Sequence, residues 1–148
     1  MRIFIDGDAC PQKEEILTIA NKYNKEVLIF VDYAHEIDTS LYHEVIYCDV
    51  GSDSVDMEII NRIEKNDLLI TQDYGLSSLA LSKGVVVLHV SGIIIDLNNI
   101  DELLFRRYGS AKMRKAKQRV KGPKSRDNVQ KQYFIKQLDN ILSGGIYE

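Results

Sequence analysis

Several aspartates of this 148-residue chain follow apolar runs at spacings that could bring their carboxylates together. Asp6 and Asp8 follow the first apolar run, and Asp73 follows a later one. Asp53 and Asp56 stand three residues apart at the start of a helical pattern. Clustered carboxylates without a neighbouring Lys or Arg are costly unless a cation is bound, and oxygen ligands suit Mg²⁺ or Mn²⁺. Divalent ions held in this way commonly serve phosphoryl transfer. The pattern predicts a metal site of Asp6, Asp53, Asp56 and Asp73, with Asp6, Asp8 and Asp73 as the catalytic residues.

Each aspartate also has a purely structural interpretation. Asp53 could cap its helix with Asp56 as a capping-box partner. Asp8 could belong to the turn before Pro11, and Asp73 could form the turn into the next helix. For a single acid the structural role is the commoner one, but the convergence of five acids at one edge favours the metal site. Three polar neighbours could orient a phosphate or a water, although each is also an ordinary cap or strand-end residue: Ser52, Thr71 and Gln72.

Strand and helix patterns alternate along the chain and must position these acids. Apolar runs predict five strands, over residues 2–6, 27–31, 44–47, 68–71 and 85–88. Apolar stripes at helical spacing separate them, and Pro11 suits the first turn of the first helix. Continuous apolar strands that alternate with helices predict an α/β three-layer sandwich around a central, mainly parallel sheet. Binding sites of such sheets lie beyond the carboxyl ends of the strands, which is where the acids fall.

The net charge of −3 conceals two oppositely charged parts. Residues 1–105 carry 7 Lys and Arg against 19 Asp and Glu, whereas residues 106–148 carry 12 against 3. We therefore predict one domain over 1–148, with an acidic body, 1–105, and a basic C-terminal helical extension, 106–148. The extension could grip RNA or single-stranded nucleic acid, or it could neutralise the body within the chain or between subunits of a homodimer. The candidate phosphate contacts are Arg106, Arg107, Lys112, Arg114, Lys115, Lys117, Arg119 and Lys121.

Composition excludes several other classes of protein. A mass of 16.9 kDa with 45% hydrophobic residues fits one globular domain with a real core. No apolar run reaches the roughly 18 residues that a membrane span needs, and no secretory signal is visible. Two cysteines, Cys10 and Cys48, are too few for a disulfide framework, so we expect reduced thiols and a cytoplasmic location.

Four segments resemble the bacterial YaiI/YqxD family, and the resemblance spans nearly the whole chain. They are Ile-Phe-Ile-Asp6-Gly-Asp8-Ala-Cys10-Pro11, Gly51-Ser-Asp53-Ser-Val-Asp56, Ile-Thr71-Gln72-Asp73-Tyr-Gly-Leu76 and Lys121-Gly122-Pro123. That family is largely uncharacterised and looks like a compact relative of PIN-domain nucleases. The resemblance implies a PIN-like domain and Mg²⁺- or Mn²⁺-dependent phosphodiester cleavage, mostly of RNA. The chain departs from the family after Gly122-Pro123, where Lys124-Ser125-Arg126-Asp127 replaces further prolines and an aromatic residue.

A metal-dependent nuclease is thus the leading interpretation, and two others remain open. In a non-catalytic nucleic-acid-binding protein, the acids would be helix caps or remnants of a lost site. In a haloacid-dehalogenase-type phosphatase, the first strand also ends in Asp-x-Asp, and the first Asp is the nucleophile. That phosphatase needs a downstream Lys and a further acidic pair, which Lys83 and the single Asp73 match poorly.

Overall fold

A computed structural model describes residues 1–7, 10–32, 37–50, 52–106 and 128–144, with the backbone alone for residues 52 and 53. The strands are β1 (Ile3–Asp6), β2 (Val27–Asp32), β3 (Glu44–Cys48), β4 (Leu68–Thr71), β5 (Val86–His89) and β6 (Ile94–Ile95). The helices are α1 (Lys13–Lys22), α2 (Ser52–Arg62), α3 (Tyr74–Leu81), α4 (residues 100–106) and α5 (Asn128–Leu142).

These strands form one sheet in the order β3-β2-β1-β4-β5-β6. The first five are parallel to their neighbours, and β6 alone runs antiparallel, beside β5. The carboxyl ends of β1 to β5 therefore share one edge, the carboxyl edge, and their amino ends share the opposite amino edge. The predicted α/β sandwich with a mainly parallel sheet is confirmed. The two-residue β6 is an addition to the five predicted strands.

Helices cover both faces of the sheet because the strands are apolar on both sides. On one face, α1 and α5 pack on a core that includes Ile3 and Ile5 of β1. On the other face, α2, α3 and α4 pack on a core that includes Phe4. Successive side chains of a strand alternate between faces, so Asp6 shares the α2–α3–α4 face with Phe4.

The chain leaves β1 at a glycine because the exit passes directly over β2. A Cβ atom on Gly7 would lie 2.7 Å from Ile29 Cγ1 and 2.8 Å from Val31 Cγ1, which no real side chain tolerates. Gln12 then adopts the left-handed conformation, with φ 64°, immediately before α1. Pro11 therefore precedes the helix. The prediction that Pro11 occupies the first turn of the helix was wrong.

The C-terminal helix α5 belongs to the folded core. Phe134, Leu138 and Ile141 are buried against the sheet in the same core as α1. Lys131 Nζ also lies 3.0 Å from Glu15 Oε1 in the first turn of α1. The predicted boundary at residues 105 and 106 therefore divides the chain by charge, and residues beyond it help to build the core.

Buried cysteines occupy both cores and are not bonded to each other. Cys10 lies in the core beneath α1 and α5, and Cys48 lies in the core on the other face of the sheet. Within the ranges that the structure describes, no helix has the length and apolarity to cross a membrane.

Candidate functional site at the carboxyl edge

Thr71 connects Asp6 and Asp73 at the ends of two adjacent strands. The Thr71 hydroxyl donates a hydrogen bond to Asp6 Oδ2 at 2.8 Å and accepts one from the backbone N–H of Asp73 at 3.0 Å. Thr71 is fully buried, while Asp6 and Asp73 are half-buried. One hydroxyl therefore orients the Asp6 carboxylate and fixes the chain where it leaves β4. Two predicted catalytic residues and one predicted supporting residue thus lie close together.

Asp73 also caps α3, which was its structural alternative. Its Oδ1 accepts the backbone N–H of Leu76 at 3.0 Å, and its carbonyl oxygen accepts the hydroxyl of Ser77 at 2.8 Å. An N-cap aspartate satisfies a donor that the first turn of the helix leaves open. The cap holds the Asp73 carboxylate at the carboxyl edge, so the structural role and a functional role are compatible.

Asp32 is a carboxylate at this edge that sequence reasoning missed. It is the last residue of β2 and is half-buried. Phe30, two residues earlier, pairs in register with Asp6, so Asp32 lies on the same face as Asp6 by strand alternation. The apolar run predicts a strand that ends at Val31, one residue too early. A search for acids directly after each apolar run, as was done for the runs before Asp6 and Asp73, would have found Asp32.

The structure describes the position of Asp56 on α2 in full, but only the backbone of Asp53. Asp56 lies one turn into the helix and is half-buried beside the buried Val55. Because α2 begins at Ser52, Asp53 is inside the first turn and is not the residue that precedes the helix. This position does not suit the capping box proposed for Asp53 and Asp56. The side chains of Ser52 and Asp53 lie outside the description.

The other predicted site residues fall into three groups. Gln72 is exposed and follows Thr71 at the carboxyl edge. Arg106 Nη2 forms an exposed ion pair with Glu102 Oε1 at 2.6 Å. The remaining predicted residues lie outside the described ranges: Asp8, Arg107, Lys112, Arg114, Lys115, Lys117, Arg119 and Lys121.

The donor set at this edge suits a hard cation, but the described acids alone do not complete a site. Asp6, Asp32, Asp56 and Asp73 offer carboxylate oxygens, which are the ligands that Mg²⁺ and Mn²⁺ prefer. Among the residues whose side chains are described, no three His, Cys, Asp or Glu lie close enough together to hold a metal ion. Two predicted contributors, Asp8 and the Asp53 carboxylate, are not among those residues.

A different aspartate, at the amino edge, is neutralised by an arginine. Asp67 Oδ2 lies 2.8 Å from Arg2 Nη2 and accepts the backbone N–H of Glu64 at 2.9 Å. Burial by itself raises the pKa of Asp67, but the hydrogen bonds from Arg2 and Glu64 outweigh it and hold the pKa below its ordinary value. The same pair raises the pKa of Arg2. Asp67 is therefore a structural carboxylate that ties β1 to β4.

The fold and this edge define an open, mainly parallel α/β sheet protein with carboxylates at the ends of its central strands. The chain belongs to the family described as "Uncharacterized BCR, YaiI/YqxD family", whose model matches residues 4–144. It is 43% identical over 126 residues to a UPF0178 protein of Clostridium tetani, covering 85% of this chain and 86% of that protein. It is 42% identical over 141 residues to a UPF0178 protein of Natranaerobius thermophilus, covering 93% and 95%. The resemblance inferred from the sequence motifs is thus confirmed.

Proposed function

We propose that this protein is a Mg²⁺- or Mn²⁺-dependent nuclease that hydrolyses phosphodiester bonds of RNA or other single-stranded nucleic acid. One observation carries the proposal: at adjacent strand ends, the Thr71 hydroxyl orients the Asp6 carboxylate and binds the backbone N–H of Asp73, whose own carboxylate is held by the N–H of Leu76. A carboxylate whose direction is fixed in advance loses little conformational entropy when it takes a ligand. The carboxyl edge is also where open α/β sheets bind their ligands.

In this proposal some residues bind the cation, and others orient the attacking water or position a ligand. Asp6 and Asp73, with Asp53 or Asp56, would hold the cation, and Asp32 extends the carboxylate set on the same face. Asp8 would be a further ligand or would orient the attacking water. Thr71 positions Asp6 and has no contact with the substrate. When bound, the cation would neutralise charge on the phosphate and favour attack by water.

The basic extension would hold the phosphate backbone without reading the base sequence. The helix that follows the extension, α5, begins at the carboxyl edge. Lys131 near its start contacts Glu15 in the first turn of α1, and α1 begins at this edge because it follows β1. Tyr133 packs on Gly92 in the turn after β5, at the same edge. The helix that follows the basic residues therefore begins at the same edge of the sheet as the proposed site.

A non-catalytic nucleic-acid-binding protein is the second candidate. The capping role of Asp73 and the lack of a complete metal cluster among the described side chains favour it. The phosphatase alternative needs a lysine near Asp6. Lys83 does not meet this need, because it follows α3 at the amino edge. There its Nζ donates to the Ile60 carbonyl at 2.5 Å, far from Asp6 across the length of the strands.

Calorimetric titration with Mn²⁺ tests the metal site directly. We expect Asp6→Asn and Asp73→Asn each to weaken Mn²⁺ binding at least tenfold, about 1.4 kcal/mol. Asparagine is as good an N-cap as aspartate, so Asp73→Asn keeps the start of α3. Asp139→Asn, which changes a partly exposed carboxylate on α5 that contacts Lys22 and Tyr23, is the matched control and should bind like the wild type.

Two further measurements separate the candidates. Cleavage of a labelled single-stranded RNA in Mn²⁺, lost in Asp6→Asn, supports the nuclease. Negligible and equal heats for the wild type and Asp6→Asn at millimolar Mn²⁺ would remove the metal site and leave the binding protein. Repulsion among the acids also predicts that Asp6→Asn is at least as stable as the wild type in EDTA.

A further inference from the structure

We propose that Tyr74 and His89 form a nucleobase-stacking subsite beside the carboxylates, a proposal that rests on the function proposed above. The two rings are stacked, with centroids 5.1 Å apart and an interplanar angle of 22°. Tyr74 is the first residue of α3 and directly follows Asp73. His89 is the last residue of β5 and pairs in register with Thr71. The pair therefore borders the two residues that define the candidate site.

The His89 ring is held in one orientation. The backbone N–H of Ser91 donates to His89 Nδ1 at 3.0 Å, and Ser91 Oγ lies 2.7 Å from the same nitrogen. Since a backbone N–H can only donate, Nδ1 is the acceptor, and a neutral ring carries its proton on Nε2. A ring fixed in this way loses little conformational entropy when another ring stacks on the pair.

Accessibility distinguishes this pair from the other aromatic stack among the described residues. Phe4 and Phe30 stack with centroids 5.4 Å apart, but both are completely buried and only fill the core. Tyr74 and His89 are each only half-buried at the carboxyl edge, so this pair is not enclosed in the core. An aromatic pair that is both fixed and accessible can accept a further planar group.

Position identifies that planar group as a base of the bound strand. With strands about 4.8 Å apart, His89 on β5 lies two strands, or about 10 Å, from Asp6 on β1. A nucleotide whose phosphate is held by the proposed cation at Asp6 would be able to place its base at that distance. Stacking on aromatic side chains tolerates every base because each base has a π-face, so the subsite adds affinity without sequence preference.

An abasic probe separates stacking from charge. Binding of a labelled oligothymidylate and of an abasic phosphodiester chain of equal length would be measured by fluorescence anisotropy in millimolar Mg²⁺, and electrophoresis after each reading would verify that neither chain had been cleaved. We expect the wild type to bind the base-bearing chain about 5- to 100-fold more tightly than the abasic chain. Tyr74→Leu should lose most of this difference, whereas Tyr74→Phe, which keeps the ring, should retain it.

The control is Tyr47→Leu, the same substitution at a half-buried tyrosine that packs on the opposite core. Equal wild-type affinity for the two chains, or equal losses in Tyr74→Leu and Tyr47→Leu, would overturn the subsite and leave the nuclease proposal standing. No binding of either chain at low salt would overturn both proposals. If Tyr74→Leu does not fold, His89→Gln, which removes the other ring of the pair, takes its place with the same expected loss.

Discussion

Thr71 determines where the Asp6 carboxylate points. Its hydroxyl has one proton, which it donates to Asp6 Oδ2, and its lone pair accepts the N–H of Asp73. Both directions of the hydroxyl are therefore in use, and its rotation is fixed. A serine could make the same two hydrogen bonds, whereas a valine of nearly the same shape could make neither.

We expect Thr71→Val to lower the free energy of unfolding by about 1–3 kcal/mol, because it leaves two polar groups at a buried position without their partner. Urea unfolding in EDTA measures this loss. Thr71→Ser is the control: it keeps the hydroxyl and loses one buried methyl group, about 0.8 kcal/mol. A Thr71→Val protein as stable as the wild type would show that the hydroxyl does not hold this edge together.

The sequence predicted that Asp6, Thr71 and Asp73 lie at one edge of the sheet, because parallel strands end at the same edge whatever their order. Asp32 was missed because the apolar pattern stops one residue before β2 does. The roles of the α2 acids depend on which residue begins that helix, and with Asp53 as the cap the predicted start is two residues late. Side-chain hydrogen bonds such as that between Thr71 and Asp6 join residues 65 positions apart. Local patterns do not contain that information.

At the scale of elements, the five parallel strands were predictable from the sequence. The short strand β6 and the docking of α5 on the sheet were not. Continuous apolar runs mark β1 to β5 because both faces of the sheet are covered. The two residues of β6 pair with β5 only because Gly92, at φ 98°, turns the chain back. The docking of α5 beside α1 likewise depends on contacts between distant parts of the chain, such as Phe134 with the sheet core.

The ion pair between Arg2 and Asp67, which joins β1 to β4, makes the free energy of unfolding depend on pH. The pKa of Asp67 is lower in the folded state than in the unfolded state, so the pair stabilises the fold fully above the unfolded pKa of about 3.9. That contribution is lost as the pH falls through the lower, folded pKa. We expect Asp67→Asn to be about 1–3 kcal/mol less stable at neutral pH, because buried donors lose a charged acceptor.

The difference between Asp67→Asn and the wild type should narrow below about pH 4, as unfolding at a series of pH values would measure. Asp139→Asn serves as the comparison, since hydrogen bonds from Tyr23 and Lys22 also lower the pKa of Asp139, but its carboxylate is partly exposed and screened by solvent. Its stability should change little at any pH. A constant difference for Asp67→Asn from pH 7 to pH 2 would contradict the pKa argument.

At the scale of the whole molecule, charge is separated along the chain but not by domain. The acidic body supplies the sheet and the carboxyl edge, and α5 returns from the basic segment to complete the core beneath α1. Repulsion within the body and attraction between the two parts would both be weakened by salt. Salt therefore distinguishes a basic segment that binds phosphates from one that only neutralises the body.

If the basic segment binds single-stranded nucleic acid through six or more phosphates, affinity should fall about a hundredfold or more between roughly 50 and 200 mM salt, because counterions are released on binding. Reversing Arg114, Lys115 and Lys117 to glutamate should abolish binding at low salt while circular dichroism remains unchanged.

The matched control reverses Lys25, Lys65 and Lys83, which precede β2, β4 and β5 at the amino edge. These substitutions change the net charge by the same amount. Equal losses in the two variants would indicate an effect of net charge alone. Unfolding of the first variant only would show that the segment neutralises the body, and the nuclease proposal would then rest on the carboxylates without a means of holding the strand.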